Sequence, residues 1–284
     1  VYERERKMRQ NIRTFRGALL LLACGGLWGV VVPLSKMASL VEAHPVGLAI
    51  LIDIIGAVFC IGISVKRKTM PNLKGLTRAE WKFILGFAFI SSVINQVLVY
   101  WVASKLPASI VSIVIVLEGF AVFLFAALMR TEAPNLKRFL GLGLGLVGIC
   151  IILLYGEPGE MATSWLWLVI ALVIPVTYAT EDIYLSESKP ANIDNVALFG
   201  ITLVVSVLML IPLAVFYQDF IPFSLLTGRL GVIVVLMAAA GNLAMLLFIL
   251  LISSTGAVFA SQNAYAGTAA GIGWSMLLLG EAIP

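Results

Sequence analysis

The chain is a succession of apolar stretches, each long enough for a membrane-crossing helix, separated by short polar loops. A helix of about 20 residues spans the ~30 Å hydrocarbon core of a bilayer, where every backbone polar group needs an internal partner. The stretch from Ala108 to Met129, ASIVSIVIVLEGFAVFLFAALM, sets the pattern. Arg130 and Glu132 close it, and one charge, Glu118, interrupts it near its middle. A carboxylate at that depth costs a few kcal/mol to insert, so such groups face a protein interior or a water-filled cavity.

Eight more stretches share this character: Gly17–Ser39, Pro45–Val65, Trp81–Ala103, Phe139–Tyr155, Trp165–Leu185, Val196–Tyr217, Leu230–Ile252 and Gly256–Leu279. The expected fold class is therefore an all-α membrane protein. Composition agrees: 61% of residues are hydrophobic, 12% are charged and the mean hydropathy is +1.06. A soluble globular chain carries about 25% charged residues. The first stretch is too long for a signal peptide and more spans follow it, so it is a retained helix behind a basic segment, residues 1–16. The basic excess lies in short loops and calls for no nucleic-acid partner. Cys24, Cys60 and Cys150 fall inside spans and match no metal spacing. The lone His44 sits in a loop, no nucleotide-binding or zinc motif appears, and no cofactor is expected.

The loops also give an orientation, because positive residues concentrate on the cytoplasmic side. With a cytoplasmic N-terminus, that side holds the basic residues before Gly17, those from Lys66 to Lys82, and Arg130, Lys137, Arg138 and Lys189. The other side holds Lys105 and Arg229, and Lys36 ends the first span. The chain also repeats. A shift of 149 maps Ala108 onto Ala257, Ser112 onto Ser261, Ala121 onto Ala270, Leu128 onto Leu277 and Glu132 onto Glu281. Five spans per set is an odd number, so the second set, residues 165–284, runs inverted to the first, residues 17–155. Inverted repeats build two alternative openings around one central site in many secondary transporters. The second set holds four spans, and a tenth is expected beyond Pro284.

This order of elements resembles the drug/metabolite transporter superfamily in its ten-helix EamA-type branch. Trp28, Gly29 and Lys36 resemble the family's first-span pattern, Pro45 opens the second span, and Ala108 and Ser109 match the small-residue start of the fourth. Gly280 and Glu281 match the Gly-Glu that closes the ninth. The resemblance implies a bundle of two inverted five-helix repeats, nine of whose spans are in this chain. It also implies a solute cavity lined by spans one to four and six to nine. Asp53 stands where the family often has arginine, and Glu118 and Gly267 where it commonly has proline. These departures warn against copying a substrate from any relative.

Lys36, Asp53 and Glu118 are the charges set within spans one, two and four. They read either as solute or proton sites, or as a structural pair joining Lys36 to a carboxylate. Asn95, Gln96, Asn242, Gln262 and Asn263 offer polar groups at depth. Adjacent helical residues point about 100° apart, so at most one of each neighbouring pair is expected to face a cavity squarely. Trp28, Trp101, Tyr178, Tyr265 and Trp274 are the aromatics nearest these groups. Trp28 and Tyr265 lie deeper, placed to stack on a solute, Tyr178 is a further candidate binding residue, and Trp101 reads as interfacial. Glu181 and Asp182 read as loop charges or half of an inner gate, and Gly141, Gly143, Gly145 and Gly148 as a packing face. The expected function is a non-enzymatic carrier in the inner (plasma) membrane, exporting small metabolites, first of all amino acids, by alternating access. Carriers of nucleotide-type or cationic drug-like solutes are the alternative, and a membrane-embedded enzyme is a more distant one. The expected partners are a small-molecule solute, the lipid bilayer and a second copy in a homodimer.

Overall fold

The computed structural model describes residues 2–129 and 165–281, with side chains from residue 16 onward. The expected fifth span, the Gly141–Gly148 face, Cys150 and Glu132 lie outside the described residues. Everything described is helix and short connection. The basic N-terminal segment and span one form a single helix, Tyr2–Ser39. Span two is Pro45–Arg67, span three Arg78–Lys105, span four Ala108–Leu128, span six Trp165–Ser188, span seven Asn195–Tyr217 and span eight Arg229–Thr255. These seven are long and apolar enough to cross a membrane. Span nine follows in two pieces, Ala257–Ala260 and Asn263–Leu279.

The ends of these helices follow from local chemistry. Pro45 opens span two, where its missing N–H costs nothing. Asp194 opens span seven by accepting from the Val196 and Ala197 N–H groups. Thr77 and Glu80 form a reciprocal capping box before span three. Spans two and seven are each 23 residues long and end at a left-handed residue other than glycine, Lys68 and Gln218.

Contacts between loops sort the helix ends onto two sides. At one end Asn192 donates to Glu80 at 2.6 Å, and the Tyr184 hydroxyl donates to the Lys82 carbonyl. At the other end the Val46 N–H donates to Asp219 at 3.0 Å, and Ala108 and Ser109 donate to Glu281 at 2.9 Å each. Trp101 packs against Trp167 and Tyr217 at that second end, and the Lys105 ammonium lies over the Trp167 ring. Span one therefore enters from the first end and span six from the second, so the two described sets run in opposite senses. Trp101 is exposed within this aromatic group, as a membrane-interface residue would be.

Span one packs against spans eight and nine, span two against span seven, and span four against spans six and nine. Small residues allow the closest approach. A Cβ at Gly25 would lie 2.6 Å from that of Ala266, and one at Gly29 2.6 Å from that of Ala270. Helix association in a bilayer relies on such packing, because lipid removes the hydrophobic drive between helices. Large apolar side chains such as Val58, Leu208, Phe216 and Leu277 point outward, as a lipid solvent requires. Inside, two apolar clusters sit towards opposite ends of the bundle. One includes Leu48, Val102, Leu106 and Leu210; the other includes Phe83, Phe87, Leu198 and Leu251. Cys24 and Cys60 are buried free thiols.

Candidate functional site

Between the two clusters lies a cavity of about 140 Å³, which has room for several waters or a small solute. Spans one, two, three, four, six, seven, eight and nine all contribute to its wall. Span three does so through an unusual backbone. Residues Phe89–Gln96 form a π-helix, with the Val97 N–H reaching the Ser92 carbonyl five residues back. Such segments are rare and concentrate at functional sites. The wider winding brings two neighbouring rows, Ser91 with Asn95 and Ser92 with Gln96, onto the cavity together. The expectation that one of each neighbouring pair faces inward thus fails for Asn95 and Gln96, because it assumed α-helical winding. It holds for the other pair, where Asn263 lines the cavity and Gln262 does not.

Spans four, six and nine each tighten by one turn. The Leu117 N–H reaches the Val114 carbonyl, the Val173 N–H that of Ile170, and the Gln262 N–H that of Phe259, each three residues back. Glu118 and Asn263 each follow one of these turns and line the cavity. Pro175 follows the turn in span six, in the first turn of the helical segment that resumes at Ile174.

Four carboxyl side chains face the cavity: Asp53, Glu118, Glu181 and Asp182. Each is at most 6% exposed. Glu118 on span four and Asp182 on span six are neighbours on the cavity wall. Asn95 donates to Glu181, and Ser91 lies beside it. Asp53 lies beside Ser92 and Gln96. Several of these atoms have no partner: Asp53 Oδ2, Glu181 Oε1, Asp182 Oδ2, Asn95 Oδ1 and Gln96 Nε2. Buried polar atoms normally find hydrogen bonds, to protein or to ordered water. Asn242 on span eight donates to the Ala238 carbonyl at 2.8 Å and to Ile52 of span two at 3.4 Å. Trp28 packs on Phe248 with ring centres 5.1 Å apart. No described group of three His, Cys, Asp or Glu side chains could hold a metal ion.

Residues 15–154, the first set of spans, match the model of the EamA-like transporter family. This first set of spans belongs to that family. This EamA-like transporter thus pairs a family helix bundle with an acidic cavity wall. No curated protein matches the chain.

Of the residues singled out from the sequence, Trp28, Asp53, Asn95, Gln96, Glu118, Tyr178, Asn242 and Asn263 meet at the cavity of this EamA-like chain. Lys36, Gln262 and Tyr265 lie outside its wall. The Lys36 ammonium donates to the Ser104 carbonyl at 3.3 Å, close to the second end, and Tyr265 is half exposed. Glu181 and Asp182 are neither solvated nor at a loop. Span six continues to Ser188, which places both carboxyls a turn or more inside the helix. Ser91, Ser92, Tyr100, Ser112 and Thr268 also line the cavity and were not singled out as site residues from the sequence. The hydroxyls of Ser112 and Thr268 both bond to backbone carbonyls, of Ala108 and Ser112. Only the π-helical rows could have drawn attention to the two serines of span three, and a π-helix leaves no mark in hydropathy.

Proposed function

We propose that this chain is a secondary carrier for small amine-bearing metabolites, working by alternating access between two inverted sets of spans. One observation carries the reading. The cavity wall holds four carboxyl side chains and, among the described residues, no lysine, arginine or histidine. A cationic amino group is the ligand such a wall favours, since it offers charge-assisted donors to unpaired buried oxygens. Amino acids are the narrower case. Their own carboxylate would meet only neutral donors such as the amide of Gln96. Nucleotide-type solutes would bring phosphate charge against carboxyl groups, which like-charge repulsion opposes. The basic-residue imbalance supports a cytoplasmic N-terminus in the plasma membrane, with export as the working direction.

The test is solute uptake into proteoliposomes, with and without an imposed pH gradient, using labelled amines and amino acids. Amines are expected to be taken up, and Glu118→Gln to abolish most of the flux at equal protein in the membrane. Failure of every amine, or a Glu118→Gln rate equal to wild type, overturns the reading.

A further inference from the structure

The carboxyl groups of the cavity divide into two subsites, set by the two rows of the π-helix. One row, Ser92 and Gln96, borders Asp53 of span two. The other, Ser91 and Asn95, borders Glu181, which neighbours Asp182 and Glu118. Each subsite keeps an unpartnered carboxyl oxygen on a side chain at least nine-tenths buried: Asp53 Oδ2 in the first, Glu181 Oε1 and Asp182 Oδ2 in the second. Tyr100 lies near Asp53, Tyr178 near Glu181 and Glu118, and the two tyrosines neighbour one another between the subsites.

We propose that the cavity takes a solute carrying two cationic amino groups, a short linear diamine, with one ammonium at Asp53 and the other at the Glu181–Asp182–Glu118 group. The inference rests on the amine-carrier reading and narrows it. An ammonium presents three donors, enough to engage the free oxygen of a subsite and a neighbouring acceptor such as Asn95 Oδ1. The hydrocarbon link between two such groups lies along Tyr100, Tyr178 and Val99, all on the cavity wall. A monoamine satisfies one subsite and leaves the other's buried oxygen bare. A site built to bond a group rejects analogues that lack it more strongly than a merely apolar pocket does.

The experiment is calorimetric binding of linear diamines of graded length to the purified wild-type protein in detergent, each beside the monoamine of equal length. The expected result is a best diamine length that binds at least about tenfold tighter than its matched monoamine. In Asp53→Asn the diamine-to-monoamine ratio is expected to fall close to one. The wild-type length series stands by itself if that variant does not fold. Equal affinities for diamine and monoamine at every length overturn the two-subsite inference while leaving an amine carrier intact. Binding of neither class overturns both.

Discussion

Replacing Gly29 with alanine tests whether the bundle depends on the contact between spans one and nine. A Cβ at this position would lie 2.6 Å from the Ala270 Cβ and 2.7 Å from the Gly267 carbonyl oxygen. Carbon pairs rest at about 3.5–4.0 Å, so span one must withdraw by roughly 1 Å. Neither obstacle can step aside, since one is backbone and the other a methyl group fixed to it. Overpacking of this kind costs about 1–3 kcal/mol. Alanine also favours helix over glycine by about 1 kcal/mol, which would mask part of the loss. Gly26→Ala removes that ambiguity: it lies on the same helix, and a Cβ there would meet nothing within 4 Å. The difference between the two variants isolates packing. Thermal unfolding followed by circular dichroism in detergent should place Gly29→Ala roughly 2–12 °C below Gly26→Ala. Equal midpoints would show that the small-residue contact does not hold the bundle together.

Two further outcomes can be checked on the same protein. In a background lacking Cys24, Cys60 and Cys150, a cysteine at Ser224 should react with a membrane-impermeant maleimide on intact cells. One at Asn72 should react only after permeabilisation, and labelling of both from one side would overturn the orientation. Glu281→Gln weakens the two carboxylate bonds that open span four, at a cost of about 1–2 kcal/mol. Amide exchange at Ala108 and Ser109 should then accelerate, and unchanged exchange would mean that water already caps this helix.

The spans were legible because bilayer thickness demands a length of apolar chain that loops do not supply by chance. Their margins were less so. Span three runs from Arg78 to Lys105 where hydropathy suggested Trp81 to Ala103, because charged residues extend a helix into the interface without ending it. The 149-residue shift keeps register where helices begin: Ala108 and Ala257 each open one. Lys68 and Gln218, which close spans two and seven, are 150 apart. At the tightened turns the register slips. Val116–Leu117 and Ser261–Gln262 differ by 145 residues, about one helical turn short of the repeat. Neither turn carries a glycine or proline, so nothing in the sequence announced it. The close contact of spans one and nine went unread for another reason: the glycines at 25 and 29 meet alanines of matching spacing on a partner helix. A glycine pattern on one helix is half of a contact, and the other half is set by tertiary structure.

The site was legible in its charges and misjudged in its depth. Glu118 and Asp53 stood out because each interrupts an otherwise apolar span. Glu181 and Asp182 sat near the expected end of span six, where a charge is cheap, and so suggested solvent. Extending that helix by one turn turns the same two residues into the centre of the acidic wall. The consequence for specificity is large. With Glu118 and Asp53 alone, a wall that also contained Lys36 would have suited a zwitterion. With Glu181 and Asp182 added, and with the Lys36 ammonium on the Ser104 carbonyl outside the wall, every charged side chain of the described lining is acidic. An error of one turn at a helix end thus shifts the inferred solute from a zwitterion towards a cationic amine, a change in net charge.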